Sequence, residues 1–312
     1  MTMPVLEVEG LSISFTQYDK GVRQRSLPVI RDLDLTIRPG QVMAVVGSSG
    51  SGKSLLAHGI LGILPYNARQ SGSIRYRGEP LTPRRAEELR GREIVLIPQS
   101  VGYLDPLMQV GPQIRKGRRD PASRARSREI LGRYHLGSEV EALYPFELSG
   151  GMTRRVLIST AVAEDPSLVI ADEPTPGLDP RSLHHIMDHF REIADSGAGL
   201  LLITHDLEAA LAIADRVAVF YAGETIEEAP ASDFAAEETL RHPYTRALWR
   251  AMPQHGFQPI PGAQPYPGAA RQGCPFLPRC PRRTAECGSA VPYRPVEGGF
   301  VRCLHPERGA GA

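Results

Sequence analysis

A chain of 312 residues with 36 basic and 35 acidic side chains has room for one large domain with an appendage, or for two domains. Its near-balance of charge gives no support to a nucleic-acid binder that relies on a broad basic surface. No apolar run approaches the roughly 20 residues of a membrane span, and Met1-Thr2-Met3-Pro4-Val5-Leu6-Glu7 lacks the basic and apolar regions of a signal peptide. These features predict a cytoplasmic protein that meets a membrane only through a partner.

Taken in order, Leu6 to Phe15 alternates as a strand does. Residues 16–28 are polar and read as a loop, and Val29 to Ile37 resumes strand character. Phe15, at the end of its strand, is a candidate to stack on a purine base, with Tyr18 as competitor and core packing as the plainer role. After the Pro39-Gly40 turn, Val42 to Val46 reads as a buried parallel strand. Gly47-Ser48-Ser49-Gly50-Ser51-Gly52-Lys53-Ser54 follows, and Leu55 to Leu64 is compatible with a helix. Strand, Gly-rich loop and helix is the context that makes this motif a phosphate-binding P-loop, or Walker A. Backbone N–H groups of the loop and helix start cradle phosphate. Lys53 is placed to reach the β- and γ-phosphates of ATP, and the Ser54 hydroxyl to ligate Mg²⁺. Only Lys20, Lys53 and Lys116 are lysines in an arginine-rich chain, and one of them stands here.

Ser73 to Gly78 is a short strand, 83–92 a charged helix, and Glu93 to Gln99 a buried strand ending in glutamine. Residues 112–135 are rich in arginine and helical through 123–135, which predicts a helical insertion in an α/β core. The arginine run 115–128 reads as a solvated face. Leu148-Ser149-Gly150-Gly151-Met152 opens a helix reaching Val162, and its small residues either cap the helix or leave N–H groups open to an anion. Ser167 to Glu173 is an apolar strand ending in two acids, the Walker B pattern: Asp172 to hold Mg²⁺ and Glu173 to polarise the attacking water. Arg181 to Ser196 is an amphipathic helix. Gly199 to Asp206 is another buried strand with His205 at its carboxyl end, where open α/β sheets bind ligands. Two short strands flank Gly223 within 216–229.

These motifs, in this order, resemble the ATP-binding subunits of ABC transporters over about residues 4–250. The resemblance implies a P-loop α/β nucleotide-binding domain with a helical subdomain at about 100–165 and a small Cys-containing extension, 251–312. It implies that Gln99 touches Mg²⁺ and signals to the permease, that His205 contacts the γ-phosphate, and that Asp179 belongs to a D-loop. It also implies that Ser149, Gly150 and Gly151 complete the partner subunit's ATP site. Met152 stands where the family usually has Gln, and Pro176-Gly177 where small residues are commoner. Three stretches narrow the resemblance to the peptide/nickel importers: Tyr103-Leu104-Asp105-Pro106-Leu107-Met108, Tyr144-Pro145-Phe146-Glu147 and His242-Pro243-Tyr244-Thr245-Arg246-Ala247-Leu248. The partners then implied are a second, paralogous ATPase subunit, two permeases and a solute-binding protein, at the cytoplasmic face of the inner membrane. The cargo implied is oligopeptide, dipeptide, nickel or a metal chelate. A soluble ABC-type ATPase without a permease and a non-catalytic nucleotide sensor are the competing classes.

All four cysteines, Cys274, Cys280, Cys287 and Cys303, fall in the tail at C-x5-C-x6-C-x15-C. Four thiols in a cytosolic chain suit an iron–sulfur cluster or zinc better than disulfides. The spacing matches neither a ferredoxin run nor paired CxxC knuckles. The resemblance implies a [4Fe–4S] cluster; zinc and reduced thiols remain open. Remote in sequence from the P-loop, the tail is expected to leave ATP binding alone.

Overall fold

The protein is described from a computed structural model that covers residues 3–18, 21–266 and 272–307. Lys20 and parts of the 16–28 loop and of the extension lie outside the described residues.

The amino-terminal strands β1 (Leu6–Tyr18) and β2 (Gln24–Ile37) form a long antiparallel hairpin. The loop expected at 16–28 is largely ladder instead, with Thr16 opposite Ser26 and Tyr18 opposite Gln24. Apart from Leu27, which is buried, these arms are polar and show no apolar alternation to announce a strand, so the hairpin runs outward chiefly on backbone pairing. After β3 (Val42–Gly47) and α1 (Lys53–Ile60), β4 (Ala68–Tyr76) pairs with β1, and β5 (Glu79–Pro80) completes a four-stranded sheet in the order β2-β1-β4-β5. Helix α2 (Pro83–Leu89) starts at Thr82, whose hydroxyl caps the Arg85 N–H. Strand β6 (Ile94–Ile97) then enters a second sheet.

Three helices follow before the chain returns to that sheet: α3 (Val110–Ile114), α4 (Pro121–Arg133) and α5 (Gly150–Val162). The arginine run here is only partly a solvated face. Arg115 reaches inward to Glu141 at 2.7 Å, and Lys116 and Arg118 both meet Glu164. The remaining elements are β7 (Leu168–Asp172), α6 (Pro180–Asp195), β8 (Gly199–Thr204), α7 (Leu207–Leu211), β9 (Arg216–Tyr221), β10 (Glu224–Pro230) and α8 (Pro243–Arg250).

The large sheet has the order β11 (Arg294–Val296), β12 (Gly299–Val301), β10, β9, β3, β8, β7, β6. Its β9, β3, β8, β7 and β6 run parallel. Sequentially these strands look uniformly apolar because both faces are covered. The period of two survives in the packing. Val42, Ala44 and Val46 enter one core with the helices of the insertion, while Met43 and Val45 enter the other with β1, β2 and α1. Strands β11 and β12 come from the tail, where no strand was expected. Their hairpin lengthens the sheet through β10, with Glu227 opposite Val301. Buried Arg302 anchors it further by donating to the Asp32 backbone carbonyl at 2.8 Å.

Candidate nucleotide site and cysteine pocket

The phosphate loop joins β3 to α1, at the carboxyl edge of the parallel strands. Gly47 is required by a close approach: a Cβ there would lie 2.3 Å from the Phe220 carbonyl oxygen. Gly52, the N-cap of α1, has φ +99°, a left-handed conformation open to glycine at little cost. Lys53 is buried, and its ammonium donates to the carbonyls of Gly47 at 2.7 Å and Ser48 at 3.1 Å. Burial lowers its pKa, and Glu173 and Asp172 oppose that shift. The Ser54 hydroxyl donates to Asp172 Oδ1 at 3.0 Å. Burial pushes the Asp172 carboxyl above the usual range against the effect of that hydrogen bond.

Glu173 follows β7 in a left-handed backbone conformation (φ +47°), unusual for a side chain of its kind. Its N–H is fixed by the Ile203 carbonyl of β8 at 2.8 Å. Its carboxylate meets His205 Nδ1 at 2.8 Å. The strand ends therefore bring Glu173 and His205 together, and Ser54 and Asp172 together. Gln99, just beyond β6, lines one cleft with Ser49, Gly50, Gly52, Lys53, Ser54 and Glu173; its volume is about 370 Å³. Val29 and Leu55 also line it. Neither carried any signal in the sequence beyond being apolar.

Three groups of candidate residues lie elsewhere. Phe15 is half-buried against the core under the hairpin and is not among the cleft-lining residues; Tyr18 is exposed and bonds Gln24. Ser149 caps α5, its hydroxyl accepting from the Met152 N–H at 3.3 Å, with Gly150 in the open and Gly151 half-exposed behind it. Met152 itself packs on the main core. Asp179 caps α6 by accepting from Arg181 and Ser182, and the Ser182 bonds hold its carboxyl below the usual range.

The site fits a Mg²⁺-bound polyphosphate on the structure's own terms. The Ser51 hydroxyl is buried in the loop with no hydrogen-bond partner, and such an atom costs free energy unless a ligand satisfies it. Ser54, Asp172 and Gln99 supply the oxygens that would hold Mg²⁺.

The tail is nearer the loop than its place in sequence suggests. The Ser48 hydroxyl donates to Gln264 Oε1, and Arg279 donates to the Tyr221 hydroxyl at 3.0 Å at the end of β9. Phe276 packs edge-on against Tyr221 and Tyr244. Gln264 had no signal at all.

Cys274, Cys280, Cys287 and Cys303 are all free thiols and line one pocket, with His242 and His305. Only about 10 Å³ of it would admit a water molecule, yet the space free of protein atoms, its mouth included, is about 350 Å³. A group bonded to the sulfurs would sit inside their van der Waals radii, since metal–thiolate bonds are about 2.3 Å. Among the described residues, no three His, Cys, Asp or Glu side chains are set to hold a single metal ion. Burial raises the Cys274 thiol to about 12 and the Cys303 thiol to about 11. Wholly buried His242 accepts from the Tyr244 N–H at Nδ1, which leaves Nε2 to carry the proton, 4.0 Å from Cys274 Sγ. Its motif was visible in the sequence, but not this role.

Comparison with known proteins agrees with this geometry. Residues 30–176 match the ABC transporter family model and residues 226–287 the oligopeptide/dipeptide transporter C-terminal region. A peptide import ATP-binding protein of Brucella abortus is 36% identical over 97% of this chain and 95% of its own length. The oligopeptide transport ATP-binding protein of Salmonella typhimurium is 34% identical over 97% and 94%. A solved ATP-binding subunit of an ABC transporter superposes with TM-score 0.61 at 26% identity, covering 74% of this chain and 91% of that one. An ATP-binding cassette dimer solved with ADP and phosphate gives TM-score 0.63 at 23% identity, over 72% and 98%, a likeness of fold. This chain belongs to the ABC transporter ATP-binding proteins, as an ABC ATPase that carries the C-terminal region of the oligopeptide/dipeptide transporters.

Proposed function

We propose that this protein is the ATP-hydrolysing subunit of a peptide importer, seated at the cytoplasmic face of the inner membrane. The observation that carries the reading is the meeting of Gln99 and Glu173 with the phosphate loop in one cleft. Among the described residues no helix is long and apolar enough to cross a membrane, so its hold on the membrane is through two permeases. A paralogous ATPase subunit and a solute-binding protein complete the complex.

In the mechanism, Lys53 leaves its two backbone carbonyls for the β- and γ-phosphates. Ser54, Asp172 and Gln99 would hold Mg²⁺, which would supply charge neutralisation on the phosphates. Glu173 aligns the attacking water and takes up its proton, and His205, bonded to Glu173, orients that carboxylate and faces the γ-phosphate. Ser149, Gly150 and Gly151 do not line this chain's own cleft, which supports their service to the partner's ATP across a closed dimer, with Asp179 beside it. Glu173 and His205, both present, weigh against a non-catalytic sensor.

The relatives' names favour peptide over nickel as cargo. The test is ATP hydrolysis by the reconstituted complex, which should rise with peptide-loaded binding protein. Stimulation by nickel-loaded protein alone would reassign the cargo, and failure to assemble with any permease would favour a soluble ATPase.

For the tail the reading is a [4Fe–4S] cluster, with zinc as the alternative, and what supports a thiolate-held group is that the four free cysteines line one pocket. Its residues would be Cys274, Cys280, Cys287 and Cys303, with the His242 N–H directed at the Cys274 sulfur. Anaerobic protein should then be brown, with about four iron and four sulfide per chain; one zinc per chain in colourless protein would replace the cluster.

A further inference from the structure

Two adjacent arginines of α5 face opposite ways. Arg155 binds the helix to its own neighbours, donating to the carbonyls of Tyr134 at 3.0 Å and His135 at 3.3 Å, just past α4. Arg154 turns to the other side. Its Nη1 donates to the Pro98 carbonyl at 2.9 Å and its Nη2 to the Gln99 carbonyl at 2.6 Å. Those carbonyls belong to the turn that carries Gln99 from β6 into the cleft. Arg154 is 5% exposed, has no carboxylate partner among the described residues, and its Nε–H is buried with no acceptor. An unpaired guanidinium in the interior is an expensive way to hold two loops together, and an apolar side chain would pack there at lower cost.

We propose that Arg154 is a positioning residue that ties the Ser149-Gly150-Gly151 end of α5 to the Gln99 turn. Movement of Gln99 toward the nucleotide in this chain's cleft thereby moves the segment that serves the partner's nucleotide. The fork is rigid and planar, so it transmits both translation and tilt; a lysine in its place offers a single point. The unmet Nε–H leaves a donor free to follow the turn as it shifts. This inference rests on the reading of Ser149 to Gly151 as a contribution to the partner's site.

The test uses the assembled complex with Arg154→Met, Arg154→Lys and native protein. Arg154→Met should lower kcat about tenfold, within the span of measured coupling between sites, and leave KM for ATP and nucleotide binding within about twofold. Arg154→Lys should fall between. In native complex, hydrogen exchange of amides 99–104 and 150–156 should slow together when ATP is added. A raised KM with native kcat, or a lowered thermal midpoint with native kcat in the folded fraction, would reduce Arg154 to a structural part. Independent protection of the two segments would overturn the link even if neither variant folds. A native complex that binds ATP without hydrolysing it would instead sink the ATPase reading itself.

Discussion

The nucleotide cleft and the cysteine pocket are built by opposite means. The cleft collects side chains from strand ends far apart in the chain, and each is placed by regular backbone: Gln99 by β6, Glu173 by β7, the P-loop by β3, with His205 at the end of β8 bonded to Glu173. The pocket collects four thiols from a short stretch of turns and a small hairpin, held by contacts to α8 and β9 rather than by their own secondary structure. One is open, with Lys53, Ser54, Gln99 and Glu173 in its wall, ready for a ligand that comes and goes. The other is closed around its sulfurs, suited to a group that stays. Where sheet geometry fixes the positions, spacing in the sequence reads directly as a site; where tertiary contacts fix them, it reads only as a candidate.

Substitutions can break that contrast. The largest effect on nucleotide binding should come from Lys53→Ala. It removes the cation that meets the phosphates and should weaken ATP binding on the order of 10²-fold, read by titration with a fluorescent ATP analogue; unchanged affinity would remove the P-loop assignment. Ser149→Arg should lower turnover of the complex roughly tenfold or more, by blocking the partner's site. Binding in this chain's own cleft should persist, and its loss would refute service across the dimer.

Changing any one of the four cysteines to Ser should abolish the colour of anaerobic protein while the ATP affinity stays within about threefold, the scale of one lost hydrogen bond relayed through the tail. In protein free of metal the same thiols give a pH signature. Burial raises the thiols of Cys274, Cys280 and Cys303 in the fold, so these three keep protons that the unfolded chain releases near pH 9, and above that pH the folded state binds more protons than the unfolded. Stability should therefore fall as pH climbs from about 9 toward 11, a loss that equilibrium denaturation of native and all-Ser tails would separate. A flat profile would place the thiols in solvent. The smallest effect belongs to Gln264→Ala. Loss of its bond to Ser48 should weaken ATP binding by about threefold, and no change would leave the two regions independent.

Much of the cleft was legible because each motif sits at the end of an element whose hydrophobic period announces it. Even the cap of α5 was readable from Ser149 and two glycines. The hairpin arms at 16–28 were not, since strands that are mostly exposed and polar carry no apolar alternation. Nor was the β11–β12 hairpin, whose three-residue strands gain stability only by adding to β10. Arg154 and Gln264 were invisible for a related reason: each acts through backbone or hydroxyl partners distant in sequence. Phe15 is half-buried at its strand end and packs in part against the core, a contact its position in the sequence did not separate from stacking on a base.

Phosphate release from ATP already bound to the assembled complex decides most directly whether the cleft does chemistry. Glu173→Gln should bind ATP as the native protein does, hold the dimer closed and release phosphate ~10²-fold or more slowly, because an amide cannot take the proton of the attacking water. Release at the native rate would contradict the account and move the catalytic role away from Glu173.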